Sequence, residues 1–245
     1  MNEIIQILRK TNSNLQIVML PFGGGSGFSY AGLLSEIHKD IEIVVINPPG
    51  HLLDPGNPLE SIDEMVKLYS AKLTPILKKN CLVFGHSLGG IVTYELCKVL
   101  TRTVPIKKII ISSINPPHSF IRTVNLNPGM DNATLVNKCV ELGGIPQAFQ
   151  EEPELIEMFI RGLRGDLVAL ESYHNHFNGI REKLSIPGVI LYGDKDFIVD
   201  ETGLHQWIDY LDSIEMIRFP GRHFYLFEPV NIKPFGSLLS KHALS

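Results

Sequence analysis

The stretch Gly85-His86-Ser87-Leu88-Gly89 limits what this chain can fold into more than any other. Before it stands Cys81-Leu82-Val83-Phe84, a short apolar run of strand type, and after it Gly90 to Leu100, whose apolar residues recur at helical spacing. A serine between two glycines at a strand-to-helix turn is the signature of a nucleophile elbow, where missing Cβ atoms let the strand and helix approach. Such a turn lifts the Ser87 hydroxyl above the sheet edge and aims the backbone N–H of Leu88 at the place an attacked carbonyl oxygen would occupy. The elbow needs an acid and then a histidine further along the chain.

The surrounding sequence has the alternating rhythm of a parallel α/β sheet. Leu15 to Leu20 is a predicted strand, and Pro21-Phe22-Gly23-Gly24-Gly25-Ser26-Gly27 is the loop at its carboxyl end. That loop has no lysine in the position a phosphate-binding loop requires and does not match the dinucleotide fingerprint. It fits a loop that supplies a second backbone N–H to an oxyanion, with Gly23 as the donor and Phe22 as the one-residue alternative. A helix from Ser29 to His38, a strand from Ile41 to Ile46 and a rigid exit at Asn47-Pro48-Pro49-Gly50-His51 follow. His51 beside such a turn is expected to hydrogen-bond its own loop. A helix over Leu59 to Lys79, kinked at Pro75, then delivers the elbow strand, and Lys108 to Ser112 reads as a further buried strand.

Between residues 115 and 183 the strand rhythm stops. Asn132 to Leu142, Glu154 to Leu163 and Leu167 to Tyr173 have helical periodicity, and the strands resume at Gly188 to Tyr192. Helices inserted there lie over the carboxyl ends of the strands, so this segment is expected to be a lid that shapes an acyl pocket and excludes water.

The strand ending at Tyr192 runs into Gly193-Asp194-Lys195-Asp196. An imidazole needs a carboxylate to fix its tautomer and steady its charged form. Asp194 is placed to cap its own turn, Asp196 reaches further and is the preferred acid, and Asp200 reads as the N-cap of the next helix. After the strand Ile214 to Phe219 comes Pro220-Gly221-Arg222-His223. His223 alone among nine histidines follows Ser87 and both acids and stands just past a strand, with His205 on a helix face and His242 in the tail. The order Ser87, Asp196, His223 is that of a hydrolytic triad.

Bulk properties narrow the class of partner. A length of 245 residues suits one domain over 1–245, and a net charge of −4 argues against nucleic acid. Cys81, Cys97 and Cys139 are odd in number and match no metal spacing, as expected of reduced interior thiols. The first residues lack a signal-like apolar core and no later run approaches membrane-spanning length, so a cytoplasmic enzyme is expected.

With these residues in view, the chain resembles the type II thioesterases, free-standing editing hydrolases of nonribosomal peptide and polyketide assembly lines with the α/β-hydrolase fold. The likeness covers the Pro-x-x-Gly-Gly loop at Pro21 to Gly25, the Pro-Gly turn at Pro49-Gly50, the elbow, Gly193 to Asp196, and Gly221 to His223. The lid sequence is more selective: Leu142-Gly143-Gly144-Ile145-Pro146, Pro153 to Leu155, and Leu163-Arg164-Gly165-Asp166 with Tyr173 beyond. The family usually has Ala where Gly23 stands and Arg where His51 stands.

The resemblance implies a mostly parallel sheet flanked by helices, a Ser87–His223–Asp196 triad, and an oxyanion hole from Gly23 and Leu88. It implies hydrolysis of acyl and aminoacyl groups from the phosphopantetheine of a carrier protein, with no cofactor or metal of the enzyme's own. The carrier is then the partner, approached by a monomer through a local basic or apolar patch to which Lys107, Lys108 and Arg122 are candidate contributors. A small-molecule carboxylesterase or lipase of the same fold is the alternative activity, and a catalytically silent binding protein the alternative class.

Overall fold

Apolar residues arrive in two rhythms along the chain, and each rhythm builds one layer. The computed structural model describes every residue except 1–2, 53, 120–125 and 146–149. Its strands are β1 (Ile5–Arg9), β2 (Leu15–Leu20), β3 (Glu42–Ile46), β4 (Asn80–His86), β5 (Ile106–Ser112), β6 (Leu184–Gly193) and β7 (Leu211–Phe219). They form one sheet in the order β1-β3-β2-β4-β5-β6-β7, in which only the β1–β3 pair is antiparallel. The helices are α1 (Ile62–Leu73), α2 (Leu88–Leu100), α3 (Asn132–Leu142), α4 (Pro153–Asn175), α5 (Glu201–His205) and α6 (Pro229–Leu244).

Parallel strands covered on both faces are largely apolar, and every residue of β3 is buried, with Glu42 at its start paired to Lys78 at 2.9 Å. Successive side chains still alternate between layers: Val18 and Leu20 join the core formed with α1 and α2, while Ile17 and Met19 join the one formed with α6. β4 repeats this pattern, with Cys81 and Val83 on one face and Leu82 and Phe84 on the other. The three cysteines are buried free thiols, as expected from the sequence. In-register pairing of Gly85 with Ile111, Ser112 with Leu191, and Gly193 with Phe219 brings the carboxyl ends of the central strands to one edge. Loops far apart in sequence therefore meet there.

Several elements differ from expectation for identifiable reasons. The helix expected at Ser29–His38 is a 3₁₀ stretch over Gly27–Glu36, whose buried residues Gly27, Tyr30 and Leu33 recur every three positions. The helix before β4 stops at Leu73 and tightens into a 3₁₀ turn over Thr74–Ile76, where Pro75 has no N–H to give. The two helices expected over 154–173 are one continuous α4. Gly162 and Gly165 do not break it: a Cβ on Gly162 would lie 2.7 Å from the His51 ring and one on Gly165 would collide with Pro58. They are glycines of close approach.

Two elements had no counterpart in the sequence reading. β1 is an edge strand of half-buried residues. The supposed tail is α6, whose Phe235, Leu239 and Ala243 are wholly buried against the sheet. Because Phe235 closes this core, Phe235→Ala is expected to destabilise the protein by about 3–5 kcal/mol. Urea denaturation measures the difference, and a loss under about 1 kcal/mol would mean α6 is dispensable.

Candidate active site

Ser87 occupies the turn between β4 and α2 with φ 54° and ψ −125°. A non-glycine residue in that region is strained by roughly 1–3 kcal/mol, and the surroundings hold it there. The Ser87 N–H donates to Ser112 O at 2.7 Å, and Gly90 N–H donates to Ser87 O at 2.8 Å. Neither elbow glycine has room for a side chain: a Cβ on Gly85 would collide with Gly89 O, and one on Gly89 with Pro21 O.

The acid and the histidine come from the neighbouring strand ends. Asp196 Oδ2 accepts from His223 Nδ1 at 2.9 Å, with the two side chains 0% and 2% exposed. Its other oxygen accepts from Ile198 N–H at 2.9 Å. Burial alone would raise the Asp196 carboxyl, but the charge and hydrogen bond of His223 and the Ile198 amide outweigh it and hold it below the usual range. The bond at Nδ1 leaves Nε2 as the ring's free nitrogen. Asp194 does not cap its own turn as expected. Its carboxylate accepts from Gly221 N–H at 2.8 Å, and with the Lys195 N–H to Gly221 O bond of 2.8 Å it ties the acid loop to the histidine loop. Asp200 caps α5 by accepting from Gly203 N–H at 2.7 Å, as predicted.

Ser87, His223, Leu88 and Gly23 line one cavity of about 110 Å³. Among the described residues Ser87 Oγ and His223 form no direct hydrogen bond; both line that space. Such bonds commonly tighten only when substrate is present. Phe22, the alternative donor position, buries its ring against Phe224 at 4.7 Å between centroids. Apart from Asp166, the remaining wall is apolar and comes largely from α3 and α4, through Leu142, Phe159, Leu163 and Leu167. Cys139 also lines it, and burial pushes its thiol up to about 12, so it stays protonated and inert.

Two polar features of the site escaped the sequence reading. His86, the variable residue of the elbow, is fully buried with its ring centroid 4.9 Å from that of His223. Its Nδ1 bonds Ser112 Oγ at 2.8 Å, which bonds Tyr225 Oη at 2.7 Å. Burial, and then the charge of His223, hold His86 well below its ordinary pKa, so it packs on His223 as a neutral ring.

His51 is the second. Its Nδ1 bonds Pro49 O at 2.9 Å, the local contact expected, but its Nε2 reaches Asp166 Oδ2 on α4 at 2.8 Å. Lys107 and Lys108 also have roles other than those expected. They bond Ala243 O and His242 Nδ1 of α6, both at 3.1 Å, and so brace the C-terminal helix rather than form a free basic patch. Arg122 lies outside the described residues.

A profile described as "Thioesterase domain" matches residues 15–239. The chain belongs to the thioesterase family. It is 27% identical over 220 residues to "Thioesterase PikA5" of Streptomyces venezuelae, covering 88% of this chain and 76% of that one. Among solved structures it is similar to the type II thioesterase BorB from the borrelidin biosynthetic cluster, with a TM-score of 0.86, 25% identity, and 98% and 97% of the two chains covered. It is likewise similar to YbtT, the type II thioesterase of the yersiniabactin pathway, with a TM-score of 0.84, 26% identity, and 99% and 100% covered. This thioesterase therefore has the α/β-hydrolase fold and is a thioester hydrolase.

The His51–Asp166 pair gives a pH signature. Burial opposes the charged ring, but the Asp166 carboxylate and the Pro49 carbonyl outweigh burial and the repulsion of Arg161, and His51 holds its proton above its ordinary value. A raised folded-state value means stability that is fully present below about pH 6.5 and fades as pH rises through that value. The melting-temperature advantage of wild type over His51→Gln is expected to shrink between about pH 6 and pH 9. An advantage that grows with pH would contradict the pairing.

Proposed function

We propose that Ser87, His223 and Asp196 form the nucleophile, base and orienting acid that hydrolyse an acyl thioester carried on the phosphopantetheine arm of a carrier protein. The observation that carries this reading is the buried 2.9 Å His223–Asp196 bond on the wall of the cavity that Ser87 also lines. His223 Nε2 takes the Ser87 proton as Oγ attacks the thioester carbonyl, and the oxyanion is held by the N–H groups of Leu88 and Gly23, each worth ~3 kcal/mol in the transition state. The pantetheine thiol leaves with the proton from His223. Water, deprotonated by the same nitrogen, then attacks the acyl-serine carbonyl, and that proton passes to Ser87 Oγ as the acid departs. These groups are all the protein's own, and the pantetheine arrives with the substrate.

The walls indicate the acyl class. About 110 Å³ of mostly apolar space accommodates roughly four carbon atoms, since an apolar cavity of about 150 Å³ holds a benzene. A wider cleft of about 510 Å³, lined by Phe22, Phe28, Leu52 and Phe227, shares Gly144 and Phe159 with it. We assign the inner space to a short apolar acyl group and the cleft to the pantetheine arm, with the exposed Phe28 at the carrier's approach.

Acyl-loaded holo carriers assayed against wild type, Ser87→Ala and Asp196→Asn test this. Butyryl carrier is expected to turn over at least about tenfold faster than octanoyl carrier, Ser87→Ala to be inactive, and Asp196→Asn to lose on the order of 10³–10⁴ in kcat. Octanoyl turnover equal to butyryl would refute the size assignment alone. Greater efficiency on a free p-nitrophenyl butyrate than on the butyryl carrier would replace the carrier reading with an esterase.

A further inference from the structure

Asp166 takes no part in the chemistry just described, yet it lines the Ser87 cavity from the middle of α4 and is almost wholly buried. A single oxygen, Oδ2, accepts two hydrogen bonds, from Gly24 N–H at 2.7 Å and from His51 Nε2 at 2.8 Å. It thus fastens together the glycine loop, the exit of β3 and the helix above the site.

What it fastens in the glycine loop is specific. Phe22 to Gly25 is a β-turn closed by the Gly25 N–H to Phe22 O bond at 2.8 Å. Gly24, its third residue, has φ 77°, the geometry of a type II turn. The central peptide of such a turn, here Gly23–Gly24, converts to the type I arrangement by a half-rotation. With glycine on both sides no Cβ opposes that rotation. Flipped, the peptide would turn the Gly23 carbonyl oxygen toward the cavity wall where the Gly24 N–H now points. An acceptor would then stand beside a site that needs donors.

We propose that Asp166 is a positioning residue that, by holding the Gly24 N–H, locks the Gly23–Gly24 peptide with its carbonyl turned away from the cavity, so that no acceptor stands beside the Gly23 N–H of the preceding peptide, making oxyanion stabilisation conditional on α4 being seated on the glycine loop. The inference rests on the serine-hydrolase reading above. A carboxylate on this wall would by itself repel a developing oxyanion, and the His51 ring on the same oxygen offsets that charge. The alignment of the loop is obtained without leaving a bare anion in the site. A Cβ on Gly23 would stand 3.9 Å from Asp166 Oδ2, so the carboxylate lies directly against the proposed donor residue.

The test separates positioning from mere stability. Asp166→Ala and Asp166→Asn are compared with wild type on butyryl carrier, with butaneboronic acid as a tetrahedral analogue bound to Ser87 and the amide analogue of butyryl-pantetheine as a ground-state ligand. Asp166→Ala is expected to lower kcat at least thirtyfold with KM within about twofold, to weaken boronate binding in parallel, and to leave amide binding unchanged. Asp166→Asn, which keeps one neutral oxygen for both donors, is expected to lose only about threefold to tenfold in kcat. If the alanine variant does not fold, the asparagine variant decides by the same split. A kcat within twofold of wild type in folded variants, or a loss shared by KM and amide affinity, overturns the proposal. Ser87→Ala serves as the control: if it retains boronate binding or turnover, the serine-hydrolase reading fails, a result distinct from failure of the Asp166 assignment.

Discussion

The backbone contact between the elbow and its neighbouring loop governs this structure. Gly89 stands so close to Pro21 O, and Gly85 to Gly89 O, that neither tolerates a Cβ. That crowding holds Ser87 at positive φ, places the start of α2 beneath the cavity, and ties the loop after β2 to the loop after β4. Parallel pairing then does the rest, because strands in register end at one edge and deliver their following loops to the same place. Ser87, Asp196 and His223 stand at this one edge through sheet topology although they lie far apart in sequence.

Polar groups around that edge are tied to one another across loops. His223 and Asp196 form a buried hydrogen-bonded pair, Asp194 braces the loop that carries His223, and His86, bonded to Ser112, stays neutral through burial. Unmatched, the buried His223, Asp196 and His86 would each cost free energy in a low-dielectric interior. The same reasoning links the helices over the site to the loop beneath them, since Asp166 on α4 cannot leave without stranding both Gly24 N–H and the His51 ring. Helix α4 and the glycine loop are one mechanical unit.

Much of this was legible in the sequence wherever the signal is local. A buried strand followed by a short loop announces itself within about ten residues, and Ser87, Asp196 and His223 each stand just after one. Asp194 was misassigned because its partner, Gly221, belongs to another loop. The close approaches that Gly162 and Gly165 permit left no local sign, because their neighbours, His51 and Pro58, lie more than a hundred residues away. Lys107 and Lys108 looked like surface charge because nothing near them in the chain reveals that α6 folds back over them.

The order of residues alone determined the α/β rhythm, the elbow, and the succession of Ser87, Asp196 and His223 at strand ends, because these depend on backbone preferences and periodicity acting over a single strand and turn. Tertiary structure decided what His51, His86 and Asp166 do. Their partners are set by which loops the sheet brings face to face, and a side chain's partner across 115 residues of chain leaves no local trace.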